Sequence, residues 1–228
     1  MNQSLPNRAA RMTGPRIVIG LLLFGSIAPE RLAAQTTGKK SDDAKAGWTS
    51  LFDGQTLKGW KSTESGGEGT VEVKDGAILL GVGNDLTGVN YERPTPHRNY
   101  EVSLEARRVD GSDFFCGLTF PVKDDPCSLI IGGWGGGVCG LSSIDGLDAS
   151  ENSTTKYREF ETGRWYTIRL RVTDAKIEAW IDKVQIVNQA LAGKKISVRS
   201  EVEASRPFGI ASYRTLAALR NIRLRELK

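Results

Sequence analysis

From residue 100 onward, apolar and polar side chains alternate with a period of two. Tyr100, Val102, Leu104 and Ala106 alternate with Glu101, Ser103, Glu105 and Arg107. Tyr166, Ile168, Leu170 and Val172 alternate with Thr167, Arg169, Arg171 and Thr173, and Ile222 and Leu224 with Arg223 and Arg225. This pattern predicts strands with one face packed and the other in water. Ile177, Ala179 and Ile181 add a further strand. The polar connections Thr173-Asp174-Ala175-Lys176 and Ile181-Asp182-Lys183-Val184 join Trp165–Val172, Lys176–Ile181 and Val184–Val187 into a meander. Asp75-Gly76 marks a tight hairpin. The final strand, Ala217–Leu227, is expected to close one sheet by pairing near the first. No long helical period is present; a short helix is expected near Ala190 or Ser212. The predicted fold class is all-β, a two-sheet antiparallel β-sandwich or jelly roll.

Ser112–Asp145 departs from this alternation. Phe114–Phe120, Cys127–Trp134 and Val138–Ile144 are apolar on both strand faces and rich in glycine. One face then belongs to the core and the other is covered by something else. Glycines admit a close approach of backbone or ligand because no Cβ stands in the way. The stretch is expected to form the floor of a shallow binding groove; a glycine-rich sheet centre without a ligand is the alternative.

The ends change the charge and domain picture. Arg8, Arg11 and Arg16 precede the apolar run Ile17–Ala28, and Leu32-Ala33-Ala34 follows. A basic start, a short apolar run and small residues describe a secretory signal peptide over 1–34. The run is short of the roughly 20 residues a membrane span needs, so no stable span is expected after cleavage; an uncleaved anchor is the alternative. The expected location is the periplasm or the extracellular space. Residues 35–46 are polar and aperiodic and read as a flexible linker. Residues 47–228 suffice for one domain with a sizeable core. The whole chain carries 31 basic and 27 acidic residues, a net of +4. Without the four arginines and Glu30 of the first 34 residues the net falls to +1. A near-neutral domain has no electrostatic footprint for nucleic acid, and arginines on alternate strand positions mark a solvated face. Of the three cysteines, Cys116 and Cys139 fall on the outer strands of the expected Phe114–Ile144 meander. They lie about 10 Å apart there, too far to bridge, so buried free thiols are expected. The spacings and the single histidine do not fit a zinc site.

Several motifs resemble a known family. Leu51-Phe52-Asp53-Gly54-Gln55-Thr56-Leu57-Lys58-Gly59-Trp60 is similar to the opening signature of the 3-keto-disaccharide hydrolase domain. Leu219–Leu227 resembles its last strand, Gly163-Arg164-Trp165-Tyr166 its Gly-x-Trp strand, and Ile177–Val187 its following meander. The resemblance implies a concanavalin-A-like jelly roll and an exported, glycan-related protein. Trp60 and Trp165 are expected in the core, where large aromatics dominate. The middle departs from the family pattern and marks a divergent subfamily. Ser112–Gly117 replaces a strand reading roughly Asn-Ser-Gly-Ile-Phe. Cys139–Asp145 stands where Tyr-Glu-x-Gln-Ile and a nearby Asp belong; Asp145 is kept, while the Glu and Gln positions become Gly140 and Ser142.

The substrate class implied by the resemblance needs little machinery. A ketone at C3 of a sugar acidifies the C2 hydrogen. A base removes it, an enolate forms, the C1 leaving group departs, and water adds to the product. Asp113 is the expected base, with Asp145 as a second catalytic carboxylate. Trp134, surrounded by glycines, is the expected sugar platform, with Tyr157, Ser142 and His97 as further substrate contacts. Asp145, Asp148 and Glu151 offer oxygens suited to a divalent cation such as calcium, although their spacing matches no defined loop and a solvated acidic loop is the alternative. Ser142 lacks the setting of a nucleophilic triad. The expected ligand is an oligosaccharide or glycoside. The expected activity is hydrolase or lyase action on 3-keto-glycosides; the alternative is a lectin-like module that binds glycan without chemistry.

Overall fold

Fifteen strands account for the alternating segments in a computed structural model that describes Met1 and residues 47–228. The expected signal peptide and linker lie outside the described residues. The residues from Gly47 onward belong to one compact unit. In chain order the strands are β1 (Thr49–Ser50), β2 (Trp60–Ser62), β3 (Val71–Lys74), β4 (Ala77–Leu80), β5 (Leu86–Tyr91), β6 (Tyr100–Asp110), β7 (Cys116–Val122) and β8 (Asp125–Gly133). They continue as β9 (Val138–Ser142), β10 (Lys156–Tyr157), β11 (Tyr166–Val172), β12 (Lys176–Ile181), β13 (Val184–Ala190), β14 (Gly209–Tyr213) and β15 (Leu216–Glu226). One 3-10 turn, Ser200–Ser205, interrupts them. The expected short helix therefore lies between the two anticipated places, since Ala190 ends β13 and Ser212 belongs to β14.

Two antiparallel sheets form a sandwich. The first runs β13-β12-β11-β6-β15-β4-β3, with β1 also paired to β15; the second runs β10-β9-β8-β7-β14-β5-β2. The last strand closes the first sheet as expected, pairing Leu224 with Thr49. Asp75 and Gly76 both take positive φ, 51° and 77°, which suits the twist of the β3–β4 hairpin. Inward-facing Leu104, Leu118, Phe120, Leu129, Leu141, Ile168 and Leu170 are fully or almost fully buried between the sheets. Trp60 joins them, stacked near Tyr91 and donating its indole hydrogen to the Leu51 carbonyl at 2.7 Å.

Trp165 does not join the core. It lies half-buried on the outer face of the first sheet, under the guanidinium groups of Arg107 and Arg220 at 4.6 and 4.0 Å. Trp180 is covered by Arg169 and Trp48 by Arg223 and Arg225 in the same way. The arginine face is thus a packed lattice of cations, tryptophans and glutamates. Flat guanidinium groups lie on indole faces and still reach carboxylates with their edges. Glu101, fully buried, receives Arg171 Nε and Arg225 Nε at 2.7 Å each.

Candidate functional site

The strands expected to be apolar on both faces are β7, β8 and β9, neighbours in the second sheet; they are buried on both faces, but the outer one is mostly glycine, serine and threonine. Their inward side chains fill the sandwich; Gly117, Thr119, Ser128, Ile130, Gly140 and Ser142 point the other way. A segment from Lys194 to Arg206 covers this outer face. It is pinned to the end of β9 by reciprocal amide bonds between Ser143 and Ser197. At its far end Asn90 of β5 donates to the carbonyls of Ala204 and Arg206 at 2.8 and 3.2 Å. The strap, the glycine-rich floor and the loop residues at the end of β7 enclose a cavity of about 540 Å³.

Ser128, Ile130 and Ser142 form the floor of this groove. The strap supplies one wall with Arg199, Glu201 and Val202; Asp113, Phe114, Trp134 and Tyr213 supply the other. Phe114 and Tyr213 stack at 5.9 Å and 26°. Phe114 can lie on the floor because residue 117 is glycine: a Cβ there would stand 2.9 Å from the ring. From Ser128 to Gly133 the floor runs roughly 17 Å at about 3.4 Å per residue, room for more than one sugar ring. Aromatic faces, hydroxyls and carboxylates in a concave site suit a neutral polyhydroxylated ligand.

Asp113 stands at one end of the groove. Its Oδ1 accepts the Phe114 amide hydrogen at 2.7 Å and its Oδ2 that of Gly135 at 3.0 Å. Beside it Trp134 is 43% exposed, with φ of 49° that turns the side chain out of the sheet. The other lining carboxylates face arginines. Asp85 meets Arg214 at 2.7 Å, and Glu201 meets Arg199 at 2.6 Å. The hydrogen bond from Arg199 holds Glu201 down to about 2. Ser128 shares a hydroxyl bond with Thr119 at 2.8 Å. The Ser142 hydroxyl, buried in the floor, has no partner among the described residues.

Of the residues singled out from the sequence, Asp113, Trp134 and Ser142 meet in this cavity. The others lie elsewhere. Asp145 is a turn residue whose carboxylate takes Lys194 Nζ at 2.7 Å and the Lys195 amide at 3.0 Å, which lowers its pKa. Asp148 accepts Arg199 at 2.7 Å and the Ser150 hydroxyl at 2.6 Å. With Asp145 and Asp148 already occupied by cations and hydroxyls and Glu151 exposed, these three do not assemble the oxygen cage that calcium needs. Among the described residues no group of three metal-ligating side chains converges. His97 donates from Nδ1 to the Lys123 carbonyl, 2.9 Å away, at the opposite end of β7 from Asp113. Tyr157 lies on β10, 78% exposed and outside the cavity. Sequence reasoning missed Tyr213 and the strap residues Arg199 and Glu201. No motif marks them, because the strap approaches the groove from more than 50 residues along the chain.

The sequence profile of the 3-keto-alpha-glucoside-1,2-lyase-like domain matches residues 47–225. No curated protein matches the chain. Among solved structures, it is similar to a Parabacteroides distasonis protein named as a candidate glycosyl hydrolase, at 13% identity and a TM-score of 0.54, covering 82% of this chain and 97% of the other. A carbohydrate esterase from the Shiga toxin-encoding bacteriophage phi24B gives 12% identity, a TM-score of 0.52 and coverage of 80% and 100%. The Crh5 transglycosylase in complex with NAG gives 10%, 0.54, and coverage of 79% and 84%. At such identities the likeness establishes the shared sandwich fold.

Proposed function

Because the chain belongs to the 3-keto-alpha-glucoside-1,2-lyase-like domain family, we propose that it is a carbohydrate-active protein that cleaves 3-keto-glycosides in the groove of its second sheet. The observation that supports this reading is the meeting of Asp113 and Trp134 at one end of a sugar-sized cavity. Trp134 offers an open ring face to the apolar face of a sugar. The Asp113 carboxylate is held by two amide hydrogens and keeps lone pairs free toward the groove. It takes the C2 proton of the bound ketone. The electron pair left at C2 passes to the C3 oxygen as an enolate, then returns to expel the C1 oxygen, which takes back the proton that Asp113 removed and leaves the carboxylate restored. Water adds across the resulting enone to complete hydrolysis. The leader-like sequence over 1–34 supports action outside the cytoplasm.

The test is release of aglycone from synthetic aryl 3-keto-glucosides by the purified protein. Turnover is expected, falling about 10²–10⁴-fold in Asp113→Asn, the range a general base contributes. Trp134→Ala is expected to raise KM. One observation favours the second reading, a module that binds glycan without chemistry: both Asp113 oxygens also tie loop amides together. Saturable glycan binding lost in Trp134→Ala, with no turnover on any 3-keto-glycoside, would establish that reading instead. Neither turnover nor binding would remove both.

A further inference from the structure

Arg108 has a side chain that solubility does not explain. It belongs to β6 of the first sheet and shares the inward face of Leu104 and Ala106. It is 6% exposed. Its guanidinium lies over the Phe115 ring at 5.3 Å and reaches across the end of the sandwich toward the second sheet. Nε and Nη2 donate to the Asp113 carbonyl at 3.2 and 3.0 Å. Nη2 also reaches the carbonyls of Gly132 at 3.3 Å and Gly136 at 3.0 Å. All these acceptors are backbone carbonyls. A buried cation whose hydrogen bonds go to these carbonyls, with the Asp113 carboxylate as a nearby countercharge, is costly, and an apolar side chain would fill the same end of the core more cheaply.

The arrangement does one thing an apolar side chain could not. The three carbonyls come from two separate segments, one carrying Asp113 and the other running from Gly132, near the end of β8, through the turn that carries Trp134. A rigid fork of donors fixes the distance and angle between them. The glycines around Trp134 belong to the same arrangement. A Cβ at residue 132 would stand 2.8 Å from Nη2, and one at residue 136 would stand 3.3 Å from it. Gly132 and Gly136 leave the room that lets the guanidinium reach both sides of the Trp134 turn. The Gly135 amide, donating to Asp113 Oδ2 at 3.0 Å, ties the two segments together a second time on the groove side.

We propose that Arg108 is the positioning residue of the groove: without touching ligand, it sets the placement of Asp113 relative to Trp134. This rests on the functional reading above for its consequence in catalysis, but the placement itself is measurable without substrate. The reason placement matters is that proton transfer needs the base within hydrogen-bond reach of the C2 hydrogen, while Trp134 fixes where the ring lies. Lysine keeps the charge but presents one compact ammonium, which cannot span the three carbonyls in the same geometry.

The experiment compares wild type, Arg108→Lys and Arg108→Gln, all labelled with 5-fluorotryptophan, by fluorine NMR. The chain has five tryptophans, and Trp134→Phe identifies the signal of Trp134. In both variants that signal is expected to shift or broaden, while those of Trp48, Trp60, Trp165 and Trp180 stay in place. On aryl 3-keto-glucosides, kcat is expected to fall at least tenfold in Arg108→Lys, with a smaller change in KM. An unchanged Trp134 signal in the folded variants, or unchanged kcat alongside a displaced signal, would overturn the proposal. Should Arg108→Lys fail to fold, Arg108→Gln carries the test, because it keeps one amide donor but loses the fork that spans the three carbonyls. If wild type turns over no 3-keto-glycoside, the functional reading fails alone. An Arg108 role in placement then stands or falls on the Trp134 signal and on affinity for a glycan ligand, expected to weaken at least tenfold in Arg108→Lys.

Discussion

Asn90 shows how much of the groove hangs on single polar side chains. It is 5% exposed, accepts the Thr63 hydroxyl and gives both amide hydrogens to the strap. Asn90→Ala leaves two strap carbonyls and the Thr63 hydroxyl without these partners. It is expected to cost about 2 kcal/mol in urea unfolding and to speed amide exchange over residues 199–206. Equal exchange rates there would mean that the strap is held by its β9 end alone. At this scale the sequence was informative where chemistry and local backbone coincide. Asp113 and Trp134 stand in glycine-flanked turns beside strands buried on both faces, and both reach the groove. Asp145, Asp148 and Glu151 are just as acidic, but the cations that claim Asp145 and Asp148 come from the strap, some 50 residues away. Tyr157 and His97 failed for a similar reason: residue type says nothing about which strand end a loop occupies.

The long strands were legible, because period-two alternation reports burial directly; β5 and β14 were not, since they are covered on both faces, and β14 holds Ser212, near which a short helix was expected. What alternation did not report was the state of the polar face. On β6, β11 and β15 that face is paved with arginine and glutamate, on which Trp48, Trp165 and Trp180 lie from neighbouring segments, and Glu101 within it is fully buried. Burial raises the Glu101 pKa, but hydrogen bonds from Arg171 and Arg225 outweigh it, and the net shift is downward from 4.5. A carboxylate lowered on folding contributes stability above its unfolded pKa, and that contribution fades as pH falls through the folded value. Wild type is therefore expected to lose stability steadily as the solution is acidified below about pH 4.5. Glu101→Gln should be less stable by about 2–4 kcal/mol near neutrality and should lose less on acidification. Urea midpoints at the two pH values check both signs; parallel losses in the two proteins would assign the acid sensitivity elsewhere.

Across the whole molecule, the sandwich seals its three thiols. Cys116 and Cys139 flank Ile131 on the two strands beside β8, with Cys127 nearer the hairpin of β7 and β8. The meander expected from sequence thus separates the first pair by two strand spacings, and all three are free and buried. Burial pushes Cys116 and Cys127 up to about 12 and Cys139 up to about 11. A thiolate reagent near pH 8 is expected to leave the native protein untouched and to modify three residues once it unfolds. Rapid labelling of any one in the native state would place an opening in the sheet that carries the groove. The strap was the part least visible in advance, since its register on β9 depends on backbone pairing between distant segments. Among the described residues the first and last strands lie on the same sheet, with β1 laid against β15, while the groove opens from the other. The last residues of β15 lie beside the start of β6, with Glu226 opposite Tyr100, whereas the far end of β6 leads to Asp113; a linkage made near Glu226 would therefore hold the protein by the end away from Asp113 and leave the cavity open for arrays or biosensor chips.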